Sequence, residues 1–303
     1  MIKLLLLLVS LFISDAFQEA VPLRRRCVLR PGAAVIDVSH AEVVEPPRAR
    51  LKVSLGGKTL SLTGFCFAFS MTFWVIALYP AVLSCAALSF VFDKKKRRLL
   101  DFVVSLWAKL SMVSCGYWPE IVGKENLPKK GEAVLYAPNH CSYLDILTLS
   151  GFLGRPFKYI SKIEILRIPL IGWSMRWAGH VALKRSDRRS QLETYKNAVE
   201  TLKNGNSIVA FPEGTRSLDG KLQSFKRGPF KMAKDANVDV VPVALYDLHK
   251  WHPPSALMPL RRPKNVKIVV LPRISTKDYA PEDVLQQARQ AINQTLPKYQ
   301  QQP

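Results

Sequence analysis

In the stretch 137-APNHCSYLDI-146 a histidine and an aspartate stand five positions apart, His140 and Asp145, with Cys141 and Ser142 between them. An imidazole with one nitrogen held by a carboxylate is a general base. Beside a thiol or a hydroxyl it can instead activate a nucleophile of the enzyme's own. On one continuous helix, five positions turn the side chains through about 500°, away from a common face. The pair therefore meets only if His140 is in a loop and Asp145 in the first helical turn that follows. The preceding AVLYAP is strand-like and puts Asn139-His140 at a strand end, where α/β proteins commonly hold reactive groups. A structural reading competes with this one. Ser142-x-x-Asp145 has the form of a capping box, in which the carboxylate only reaches back to the backbone.

A second strand-like run, SIVAF, leads into 211-FPEGTRS-217. Gly214 allows close backbone approach there, and Arg216 offers a fork of donors suited to a phosphate. Taken alone, the same residues also describe a surface turn with an exposed salt bridge. The other histidines promise less. His249 and His252 lack a third ligand at metal-binding spacing and read as loop residues, and His180 reads as structural. The five cysteines, Cys27, Cys66, Cys85, Cys115 and Cys141, show no paired spacing, which argues against a disulfide framework or a zinc site.

These residues need a frame, and the composition indicates where it sits. Among 303 residues, 44 Lys+Arg against 23 Asp+Glu give a formal charge of +21, which calls for an anionic partner. Two apolar segments near the N-terminus make that partner a membrane surface, and no nucleic-acid-binding motif accompanies the basic residues. The run from Leu4 to Ile13 followed by Ser14-Asp15-Ala16 reads as a signal peptide over residues 1–16. Residues 60–92 carry no charged side chain. They are long enough for a tilted span, with Pro80 as a kink or as the turn of a hairpin in one leaflet. The cluster 93-DKKKRR-98 would face anionic headgroups, and residues 99–118, with only Asp101 and Lys109 charged, read as an interfacial helix. Together residues 59–118 form an N-terminal membrane helical anchor. Beyond Pro119, short apolar runs alternate with helical stretches. This predicts an α/β domain over residues 119–298 with a largely parallel or mixed sheet flanked by helices. The stretch 281–296 reads as a C-terminal helix, and KYQQQP as a frayed tail.

With these motifs in order, the chain resembles the glycerolipid acyltransferases, and among them the 1-acyl-glycerol-3-phosphate (lysophosphatidic acid) acyltransferases. Four blocks carry the resemblance: Asn139-His140 with Asp145, residues 158–190, Glu213 to Arg216, and 241-VPVAL-245. The resemblance implies that His140 is the general base, that Asp145 orients it, and that the nucleophile is the hydroxyl of the acceptor. Cys141 and Ser142 are then spared covalent work. It implies lysophosphatidic acid as acceptor, acyl-CoA or acyl carrier protein as donor, membrane lipids as surroundings, and no metal or other cofactor. Arg216, Gly214 and Thr215 would receive the phosphate, and Glu213 would position the glycerol. Lys162 and nearby backbone amides are candidates for the oxyanion. Lys184, Arg185, Arg188 and Arg189 could supply further cations.

The signal peptide followed by the basic segment 17–58 resembles the two-part presequence of algae with secondary plastids. That implies a plastid envelope, with the endoplasmic reticulum as the alternative. The segment's eight Lys/Arg stand against four Asp/Glu, more acid than transit peptides usually carry. Three other readings stay open at this point. The acceptor could be glycerol-3-phosphate or another lysophospholipid, a hydrolase would need Cys141 or Ser142, and a non-catalytic lipid-binding tether would need no base at all.

Overall fold

The structure, a computed structural model, describes residues 52–55, 58–184, 187–253, 256, 258–261 and 264–302. The signal peptide over 1–16 and most of the transit-like segment 17–58 lie outside the described residues.

The described chain opens with a two-stranded antiparallel hairpin, β1 (Lys52–Leu55) and β2 (Lys58–Ser61). Ser61 then caps the long helix α1 (Leu62–Phe92), its Oγ accepting from the Gly64 amide at 2.9 Å. At 31 residues, α1 is long and apolar enough to cross a membrane by length and composition. Pro80 lies within this continuous helix, so the turn of the hairpin falls later, at Asp93 to Arg97. Asp93 accepts there from the amides of Lys96 (3.1 Å) and Arg98 (3.0 Å), and α2 (Arg98–Val113) returns along α1.

A seven-stranded sheet follows, built from β3 (Glu120–Val122), β4 (Leu135–Pro138), β5 (Phe157–Lys162), β6 (Val181–Leu183), β7 (Ser207–Val209), β8 (Val240–Leu245) and β9 (Lys267–Val270). Its order is β3-β9-β8-β4-β7-β5-β6, parallel throughout except for the β8–β9 pair. This is the expected mixed sheet. Buried strands are apolar on both faces because helices cover both. Leu135 and Ala137 of β4 point to the layer formed by α5 (Arg188–Lys203), α6 (Gly228–Ala236) and α8 (Pro281–Thr295). Tyr136, one position out of phase, points to the layer of α1, α2 and α3 (Leu144–Phe152). Two short helices complete the set, α4 (Ile171–Ala178) and α7 (Leu248–Trp251).

α1 is fastened to this body near both ends. Phe67, fully buried, packs edge-on to Tyr143 and Trp251, while Val82 and Ala86 pack with Leu100, Val103 and Ala178. Its opposite face leaves Phe65, Phe69, Phe73, Ile76 and Phe92 exposed. α2 divides the same way, with Leu100, Val103 and Met112 buried and Leu99 and Phe102 exposed. Asp101 does not face an interface. It is buried in an ion pair with Lys158 of β5 (2.6 Å), whose ammonium also donates to the Lys96 carbonyl at 2.9 Å. Burial disfavours both charges, raising Asp101 to about 6 and lowering Lys158, and the pair persists because each group answers the other.

The tail differs from its reading as frayed. Gln300 is fully buried: its backbone carbonyl accepts from the Leu222 amide, while its side chain accepts from the Asp247 amide and donates to the Gly220 carbonyl. Its amide side chain meets donors and acceptors that the loops after β7 and β8 would otherwise bury unpaired.

Candidate active site

The site forms where β4, β7 and β8 end. Asn139, the first residue past β4, is buried and pairs with the backbone of Leu245, accepting its N–H at 2.7 Å and donating to its carbonyl at 3.1 Å. This side chain continues the β4–β8 ladder for one more step while its own backbone turns away. His140 therefore leaves the sheet in a loop, and Asp145 lies in the first turn of α3.

The His140 and Asp145 side chains meet. The His140 Nδ1–H donates to Asp145 Oδ2 at 2.8 Å, which leaves Nε2 as the basic nitrogen. Asp145 is fully buried, and the same oxygen also accepts from the amides of Cys141 (2.8 Å) and Ser142 (2.9 Å). The capping and orienting readings thus hold together in one carboxylate, because charge-assisted bonds from three N–H groups are what make its burial tolerable. The His140 ring lies stacked on Phe211 at 3.9 Å between centroids and remains 14% exposed, enough to meet a bound group.

The thiol between them is built differently. Cys141 is buried, and burial followed by the Asp145 charge pushes its pKa well up, so it stays a protonated thiol. Ser142 Oγ faces inward to His252, which is itself fully buried. His180 is half-buried: its Nδ1 accepts from the Tyr159 amide at 2.8 Å, and desolvation lowers its pKa to about 3. Both histidines are held by structural hydrogen bonds.

The Glu213-Gly214-Thr215-Arg216 loop leaves β7 beside His140. Glu213 is buried, and its two oxygens accept from the His140 amide (2.7 Å) and the Gln223 amide (3.1 Å). Ser217 N–H donates to the His140 carbonyl at 2.8 Å, so the loop grips the histidine's backbone on both sides. Desolvation raises Glu213 to about 8, opposed by the two amides. Gly214 has φ of +75°, and a Cβ there would lie 2.7 Å from the Lys226 ammonium. Arg216 is half-buried, with desolvation lowering its pKa and the Asp145 charge opposing that, while Thr215 is exposed. Lys162 is half-buried at the end of β5, Lys184 and Arg189 are exposed, and Arg185 and the Arg188 side chain lie outside the described residues.

Sequence reasoning missed Phe211, Ser217, Gln223 and Lys226. Phe211 and Ser217 flank the Glu213 to Arg216 block directly, and Lys226 sits in 225-FKRGPF-230. Adjacency was thus the available signal. An apolar groove opens beside Tyr143, lined by Met71 and Val75 of α1, Trp107 of α2, and Ile168, Pro169 and Leu170 before α4.

The class is fixed by comparison: the family model described as Acyltransferase matches residues 119–246. A solved structure, the 1-acyl-sn-glycerophosphate (LPA) acyltransferase PlsC from Thermotoga maritima, is similar with a TM-score of 0.65 and 26% identity. The match covers 77% of this chain and 95% of that one. A 1-acyl-sn-glycerol-3-phosphate acyltransferase of Chlamydomonas reinhardtii is 36% identical over 94% of this chain and 82% of the relative. The chloroplastic 1-acyl-sn-glycerol-3-phosphate acyltransferase of Arabidopsis thaliana is 41% identical over 73% of this chain and 59% of its own length. The chain belongs to the 1-acyl-sn-glycerol-3-phosphate acyltransferase family.

Proposed function

We propose that this protein transfers a fatty acyl group from an acyl thioester to the sn-2 hydroxyl of lysophosphatidic acid, giving phosphatidic acid. The observation that carries the reading is the buried Asp145 holding Nδ1 of a partly exposed His140 at 2.8 Å. The names of the relatives support the acceptor.

In the proposed reaction His140 Nε2 takes the proton of the sn-2 hydroxyl as that oxygen attacks the thioester carbonyl carbon. The tetrahedral intermediate collapses, the C–S bond breaks, and the imidazolium returns the proton to the departing sulfur. The products are the ester and a free thiol, on coenzyme A or acyl carrier protein. Base catalysis of this kind is worth ~10²–10⁴-fold. Acceptor and donor thus supply nucleophile and leaving group, and the reaction calls for no metal or other cofactor. A protonated, buried Cys141 supports direct attack over an acyl-enzyme.

Arg216 and Lys226 are the proposed phosphate partners, with Gly214 keeping the backbone low between them. Glu213 acts through the backbone it holds and is a positioning residue. The groove beside Tyr143 takes the apolar chain. Because α1 is fastened lengthwise, its exposed stripe is proposed to lie against the membrane that holds the acceptor. The chloroplastic relatives support a plastid membrane, where acyl carrier protein is the expected donor.

The test is an assay of the protein in detergent or liposomes. Acyl-CoA and acyl carrier protein are the donors, and lysophosphatidate, glycerol-3-phosphate and lysophosphatidylcholine the acceptors. Phosphatidate formation lost in His140→Ala and kept in Cys141→Ala is the expected result. Loss in a folded Cys141→Ala would replace direct attack with an acyl-enzyme. Preference for another acceptor would change the substrate, and no transfer from a folded, lipid-bound protein would favour the tether.

A further inference from the structure

At the opposite end of the sheet from His140 is a cavity of about 400 Å³. Four segments build it: Arg98 at the start of α2, and the loops entering β4 (Pro128 to Glu132), β5 (Gly154 to Pro156) and β7 (Gly205, Asn206). Four cations line it, Arg98, Lys129, Lys130 and Arg155. Glu132 is the one acid in the lining, and it is already engaged by Arg273 at 2.6 Å and by the Lys129 amide at 2.8 Å. A fifth cation adjoins, since a Cβ on Gly205 would lie 3.2 Å from the Lys96 ammonium. Arg155 is held by its Nε–H to the Pro128 carbonyl (3.0 Å) and by Nη1 to the Gly154 carbonyl (3.1 Å), which aims the guanidinium instead of leaving it to wander. Cations gathered around one cavity raise the local positive potential, which draws an anion.

The surroundings select the kind of anion. Arg98 begins α2, and Phe102, one turn on and on the same side of the helix, is 67% exposed. The end of α1 across the turn exposes Val91 and Phe92. A soluble anion would need the cations and have no use for these side chains. A phospholipid uses both, its phosphate among the cations and its chains along Phe92, Leu99 and Phe102. α1 spans about 46 Å at 1.5 Å per residue, and its apolar stripe runs from the catalytic end to this cavity, so both ends can meet one membrane surface.

We propose that this cavity is a second phosphate site, distinct from the catalytic one, which takes the headgroup of an anionic phospholipid of the membrane. The site stands on its own geometry and does not depend on which acceptor the enzyme acylates.

The test is flotation of the full chain with vesicles of phosphatidylcholine alone or containing phosphatidate or phosphatidylglycerol. The variants are a triple neutralisation of the pocket, Lys129→Gln with Lys130→Gln and Arg155→Gln, and a control triple elsewhere, Lys196→Gln with Lys231→Gln and Lys277→Gln. Each cation at an anionic surface is worth about fivefold, so the pocket triple should weaken binding to anionic vesicles on the order of a hundredfold. The control should lose far less, and binding to phosphatidylcholine should not change. Arg155→Lys, which keeps the charge and discards the aimed fork, gives an independent reading in a variant that preserves net charge. It should weaken anionic-vesicle binding measurably. Equal losses in both triples, with Arg155→Lys like wild type, would show a diffuse basic surface and overturn the site. Displacement from the vesicles by inorganic phosphate at similar affinity would overturn the lipid as its occupant.

Discussion

The two ends of the sheet hold charge in opposite ways. At the end that holds His140 the acids are buried and committed: Asp145 accepts from three N–H groups and Glu213 from two. At the hairpin end Lys129, Lys130 and Arg155 are exposed, and the one acid among them is engaged elsewhere. Burial with full pairing fixes position to a fraction of an ångström, which proton transfer needs. Exposure with incomplete pairing keeps the charge available to a ligand at the cost of precision, which suffices for holding a headgroup. The ion pair Asp101–Lys158 lies between the two and ties the hairpin to the sheet.

Four changes probe this contrast, from the largest effect to the smallest. His140→Ala should lower kcat by about 10²–10⁴-fold with thermal unfolding unchanged. Unaltered turnover would remove the catalytic half of the comparison. Lys158→Met strands a buried carboxylate and should destabilise by about 3–5 kcal/mol in denaturant unfolding. A wild-type midpoint would mean that the hairpin is held without the pair.

Glu213→Gln tests whether a buried acid can be a clamp. With its pKa raised from 4.5 to about 8, the protonated carboxyl contributes stability that is fully present below 4.5 and lost as pH rises through 8. The glutamine variant should flatten that part of the stability profile and lower kcat more than it raises KM. A profile parallel to wild type would sink the idea. Gln300→Ala should act last and least, through the backbone of Asp247 and Gly220, which the side chain holds. A few-fold loss in kcat with KM kept is expected, and a change in KM alone would place Gln300 outside this chain of contacts.

Much of the catalytic end was legible in the sequence because its signals are local. AVLYAP, SIVAF and the apolar runs near 240 and 268 became β4, β7, β8 and β9, and 281–295 became α8, since buried strands and amphipathic helices declare themselves by period. The edge strands β3 and β6, three residues each, have no period to read. The sequence offers Pro80 as one place for the hairpin's turn. It falls at Asp93 because an acid accepting from the amides of Lys96 and Arg98 closes a turn, whereas α1 continues through its proline. The tail KYQQQP looked unanchored because the partners of Gln300 stand 53 and 80 residues away.

The sequence by itself determined the reactive types and their order: a histidine at a strand end, an aspartate one helical turn on, and a Glu-Gly-Thr-Arg loop after a later strand. Local backbone geometry is enough to bring His140 to Asp145. Only the tertiary structure decided that Glu213 would hold the His140 amide across 73 positions, that Asn139 would pair with Leu245 across 106, and that Arg98, Lys129 and Arg155 would share one cavity. The physical reason is the parallel sheet. It gathers the ends of strands distant in sequence onto one edge, and no pattern along the chain records which ends will be neighbours.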